Sequence, residues 1–143
     1  MTSTTLDLWP PDLEPTDIVS PVAILRSQAL VLGDRTDHRL QGSVVTRLSH
    51  SNTRLSHVFS LVSPALSGYQ YALLTVSHDF NLYPLIVRAF DDLGEEADAP
   101  DRDVWKCDTE QDFIATLQTI FSDERTLKII AVLLAQSKTV RSG

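Results

Sequence analysis

The feature that most constrains this chain is a run of short alternating segments between residues 39 and 90, separated by turns too short to hold a helix. Residues 39–48 place Leu40, Val44, Thr46 and Leu48 on one face, and 55–63 place Leu55, His57, Phe59 and Leu61 on one face. Ser51-Asn52-Thr53 lies between them, the signature of a hairpin. Pro64 ends the second segment and Ser67-Gly68 turns the chain into Tyr69–Ser77. That third segment has Tyr71, Leu73 and Thr75 on one side and Ala72, Leu74 and Val76 on the other, so it is placed centrally. After a turn at His78-Asp79-Phe80-Asn81 comes a fourth strand, Tyr83–Phe90, whose Pro84 suits an edge or a first position. Residues 104–107 offer a short fifth. Consecutive strands joined by tight turns must pair antiparallel, because a parallel pair needs a long crossover.

Helical signals flank this run. Ser20 is a good N-cap with Pro21 at the first helical position, and Val22, Leu25, Ala29 and Leu32 recur at helical spacing before Gly33, read as the C-cap. Thr109 with Asp112 resembles a capping box, followed by Phe113, Leu117, Ile120 and Phe121. Ser122 reads as the cap of a last helix, 123–137, with Asp123 and Glu124 at its positive end. That helix is apolar almost all round, so it is expected to be buried on several sides or covered by another chain. The expected fold is α+β: an N-terminal helix, an antiparallel sheet of four to five strands, and two C-terminal helices packed on one face. Residues 20–143 make one such domain, and 1–19 a proline-rich extended arm. Leu6, Leu8, Trp9, Leu13, Ile18 and Val19 in that arm call for burial against the domain or a neighbour.

Charge is the second organising feature. The net charge is -7, from 12 Lys+Arg and 19 Asp+Glu. Ten acids and two bases fall within residues 91–112, and the rest of the chain is close to neutral. A smaller acidic echo lies at Asp7, Asp12, Glu14 and Asp17, and a mildly basic zone holds Arg26, Arg35, Arg39, Arg47 and Arg54. Such a field steers partners and sets association rates. It argues against nucleic acid as a partner, since phosphate binding relies on clustered cations. The longest strictly apolar run, Ile129 to Ala135, is far short of the roughly 20 residues that span a bilayer, so no membrane insertion is expected. The first residues have neither a basic nor an apolar signal region, and with one cysteine no internal disulfide framework forms, so the expected compartment is the cytoplasm.

Chemistry-bearing residues are few. Cys107 precedes a helix start, but a nucleophile would need a base such as His57 or His78 beside it; the plainer reading is a buried small hydrophobe. His38, His50, His57 and His78 include no helical i, i+4 pair, and His57 on an apolar strand face reads as a buried structural histidine. The acidic stretch lacks the spacing of a calcium loop, and no phosphate-cradling glycine loop or nucleophile elbow occurs. No catalytic residue, cofactor or metal is therefore assigned. The leading expectation is a non-catalytic acidic protein that neutralises or escorts a basic partner protein, as an immunity protein, antitoxin or chaperone does. Its contact residues are expected at Asp91, Asp92, Glu95, Glu96, Asp98, Asp101, Asp103 and Trp9, the last because tryptophan is enriched in binding hot spots. The alternatives are a homodimer or other homo-oligomeric subunit, and a small enzyme or small-molecule binder using His57, His78 and Cys107.

Overall fold

Ser20 opens the first helix as its sequence requires: its hydroxyl accepts the Ala23 N–H, and Pro21 stands where no N–H is needed. In this computed structural model the described residues are 6–11, 19–49, 53–90 and 103–142, the side chains of 138–142 excepted. The elements are α1 (Pro21–Arg35), β1 (Gln41–Leu48), β2 (Leu55–Ser63), a single 3-10 turn (Pro64–Leu66), β3 (Tyr69–His78), β4 (Leu85–Ala89), β5 (Asp103–Cys107), α2 (Glu110–Phe121) and α3 (Glu124–Ser142). The five strands pair antiparallel in chain order, β1-β2-β3-β4-β5, with β3 central. The helices lie over one face, so the architecture is the expected α+β one.

The register explains where the core sits. Rows of facing residues run Val44–Phe59–Leu74–Ala89 and Thr46–His57–Val76–Val87–Trp105 across the helix-covered face. Phe59, Leu74, Val76, Leu85 and Val87 are buried there with Leu25 of α1, Phe113, Leu117 and Ile120 of α2 and Leu133 of α3. Burial of this apolar surface is the dominant favourable contribution to folding. At Gly42 the absence of a side chain lets α1 approach β1, with Ala29 directly opposite.

Several local expectations are corrected. Gly33 lies inside α1, which runs on to Arg35 and is capped by Thr36; the left-handed backbone after the helix falls on Asp37 and His38 instead. Thr36 closes the end by donating its N–H to Leu32 and Gly33 and by bonding Leu40 through its hydroxyl. Ser122 ends α2 rather than opening α3, because its hydroxyl donates to the Gln118 carbonyl. Asp123 takes over at the next helix, accepting the Arg125 N–H. A one-residue bulge between Phe59/Ser60 and the facing strand places Leu73 out of register. Tyr71 therefore faces the core with Leu74 and Val76, whereas Thr75 faces away. Pro84 immediately precedes β4, which has a neighbour on each side, so it holds the first-position role and not the edge one. Helix α3 buries Thr126, Leu133 and Ser137 along one face, and Leu127 and Val132 on its other side are half exposed. Its apolar surface is thus only partly covered among the described residues.

Candidate functional site

The most chemically distinctive cluster comes from β1, β2 and β3. Thr46 stands opposite His57, and His57 is one pair removed from His78 on the same face, so the register brings the three side chains together. Thr46 Oγ1 lies 2.8 Å from His57 Nδ1, and the two Nε2 atoms of His57 and His78 are 2.8 Å apart. His78 Nδ1 lies 2.8 Å from the Asp79 carbonyl oxygen. That carbonyl can only accept, so His78 donates from Nδ1, and with one proton on each ring its Nε2 is the acceptor. His57 then donates from Nε2, and the Thr46 hydroxyl donates to His57 Nδ1. Every ring nitrogen of the two imidazoles thus has a partner. Burial lowers the pKa of His57 from its ordinary 6.5 to about 4, with His78 and Arg26 repelling an added proton as well.

This arrangement could pass a proton between strands, but both rings are only 2% exposed, so no substrate reaches them in this conformation. Its evident work is to tie three strands together. Cys107 does not join it. It faces Leu85, with β4 between it and His78, and its thiol lies 3.3 Å from Thr116 Oγ1. Burial pushes that thiol's pKa up, which disfavours the nucleophilic thiolate. The Asp79 carboxylate turns outward to Arg54 at 3.6 Å. Tyr83, beside α2, is pushed up to about 12 by burial, so it too stays protonated. Among the described residues no group of three His, Cys, Asp or Glu is placed to hold a metal ion.

The surface residues expected to meet a partner divide into three groups. Asp91, Asp92, Glu95, Glu96, Asp98 and Asp101 lie outside the described residues. Asp103, on β5, is engaged internally: its carboxylate pairs with Arg125, which also binds Asp123 at 3.0 Å and stacks 4.0 Å from the centre of the Phe90 ring. The hydrogen bonds from Arg125 hold the Asp123 carboxyl below its ordinary range. Trp9 is displayed. Its backbone N–H donates to Asp7 Oδ1 at 3.1 Å, a local turn, and Leu6, Leu8 and Trp9 are 77%, 80% and 74% exposed. Among the described residues these three are not folded onto the domain, one of the two placements expected for the arm.

One surface went unread in the sequence. The sheet face turned away from the helices carries Arg47, Arg88 and Lys106 on β1, β4 and β5. Arg47 was legible as part of a basic zone, but Arg88 and Lys106 join it only once alternation is followed through all five strands. Comparison with protein-family models, curated proteins and solved structures finds no match to the chain.

Proposed function

We propose that this chain is a non-catalytic protein-binding module that uses its acidic, apolar N-terminal arm as a contact element. The observation that carries the reading is the exposure of Leu6, Leu8 and Trp9 together in one short stretch. Large apolar side chains grouped in the open mark interaction sites far more often than single exposed ones do. The acids at Asp7, Asp12, Glu14 and Asp17 and those from Asp91 to Asp101 favour a basic protein as the partner. Asp103 is left out of this contact set, because Arg125 already neutralises it. A cytoplasmic neutraliser or escort of the immunity, antitoxin or chaperone kind fits that profile.

The test is capture from a lysate of the source cells with tagged wild-type chain and a Leu6→Ser/Leu8→Ser/Trp9→Ser chain in parallel, eluted by a salt gradient. The expected result is a stoichiometric basic protein that salt releases from the wild type and that the triple variant fails to hold. An identical set of captured proteins from both chains overturns the role of the arm.

A further inference from the structure

The helix-free face of the sheet carries charge of one sign. Among its described strand residues the charged ones are Arg47, Arg88 and Lys106, all cationic, in a chain of net charge -7. Apolar and β-branched side chains lie among them: Val58 and Thr75 at the centre, Val45 and Val104 half exposed towards the edges. The bulge at Leu73 leaves a shallow depression of about 270 Å³, lined by Arg47, Val58, Leu73, Thr75 and Arg88. Arg47 and Arg88 sit on opposite sides of the Val58–Thr75 pair.

The same chain displays the complement. Before Arg26 the sequence has four acids and no Lys or Arg, and Trp9 is exposed between Leu8 and two prolines. We propose that the arm of a second copy docks on this face, with Trp9 in the depression between the Arg47 and Arg88 guanidinium groups and the neighbouring acids meeting the cationic rim. An indole face attracts a guanidinium stacked on it, and the attraction strengthens as water is excluded. Pro10 and Pro11 restrict the unbound arm, so less freedom is lost on docking. A second copy fits better than the chain's own arm. In the single chain Leu6, Leu8 and Trp9 stand exposed, and α1, which follows the arm in sequence, packs on the opposite face of the sheet. Reciprocal exchange between two copies joins arm to face twice under one two-fold axis and closes the assembly.

This inference rests on the arm being a contact element, and it names one partner for it. Sedimentation velocity over a wide concentration range tests it, with wild type, Trp9→Ala and Arg47→Glu/Arg88→Glu chains. The wild type is expected to show a monomer–dimer equilibrium, weakened roughly a thousandfold in each variant, because a binding hot spot worth about thirtyfold is lost at both joints. Mixing the two variants should give a heterodimer held by one intact joint, weaker than the wild-type dimer but tighter than either variant alone, since one supplies an intact face and the other an intact arm. A wild type that stays monomeric at every concentration overturns the proposal, as does a dimer indifferent to both variants. So does a monomer whose Trp9 is shielded from a fluorescence quencher, because that is docking within one chain. If the wild type is monomeric yet still captures a basic protein through Trp9, self-docking fails and the protein-binding reading stands.

Discussion

A Gly42→Ala chain is expected to lose about 3 kcal/mol of stability, the upper end of the cost of overpacking a core. The cause is local and steric. A Cβ at Gly42 would lie 2.5 Å from Ala29 Cβ, 2.6 Å from Ala29 Cα and 3.2 Å from the Phe59 ring. The first two contacts belong to the body of α1, so the whole helix must move away from β1 to make room. The contact that would be lost joins the first helix to the sheet, and Leu25 of that helix is wholly buried in the core. Gly68 provides the contrast. It has φ +78° and nothing within 4 Å of an added Cβ, so Gly68→Ala should cost only the left-handed strain, about 1 kcal/mol. Urea unfolding of the two variants beside wild type measures the difference directly. A Gly42→Ala chain as stable as the Gly68→Ala one would show that α1 is not seated on β1 as described.

Stability is also expected to fall by about 2 kcal/mol between pH 7.5 and pH 5, and by about 3 kcal/mol by pH 4, through His57 alone. The sign follows from linkage. The folded pKa is about 4, below the ordinary 6.5 of the unfolded chain, so between these values the unfolded state binds more protons. The stabilisation is complete above pH 6.5 and is lost as pH falls towards 4. Protonation need not break a hydrogen bond, because the Thr46 hydroxyl can turn to accept from His57 Nδ1, so the cost is chiefly that of burying the charge. The Asp123 carboxyl, held low by Arg125, adds a loss in the same direction at still lower pH. Replacing His57 with Gln should lower stability at pH 7.5 and flatten the slope between pH 7.5 and pH 5. A wild-type stability independent of pH across that range, or a His57 resonance titrating near 6.5, would contradict a buried neutral His57.

What the sequence made legible and what it hid have a common physical cause. Alternation reports which face a residue shares with its near neighbours, and β2 emerged with its observed limits because Leu55, His57, Phe59 and Leu61 keep strict period two. The bulge at Leu73 breaks that period through pairing with another strand, which leaves no local mark, so alternation alone groups Tyr71 with Thr75 and not with Leu74 and Val76. The polar run His78-Asp79-Phe80-Asn81 predicts a turn at His78, although that residue continues the Leu74–Val76 alternation by one more step. Its hydrogen bond to His57 joins two histidines 21 positions apart, and no spacing rule links them. Ser122 had the chemistry of either a helix start or a helix end, and the choice was settled by the distance to the Gln118 carbonyl, which is a three-dimensional fact. The length of α3 hid its exposure in the same way, because an apolar composition states what a surface prefers and not what is near enough to cover it.

The central claim is that the arm touches another protein, and a photo-crosslinking residue in place of Leu8, with Trp9 left intact, tests it most directly. Leu8 is 80% exposed, so the substitution disturbs no packing within the domain. Irradiation in the source cells should give a discrete adduct between the arm and a second polypeptide, abolished when Trp9 is also replaced by Ala. Adducts confined to the arm's own chain, or an adduct pattern unchanged by Trp9→Ala, would contradict the arm as a protein-binding element.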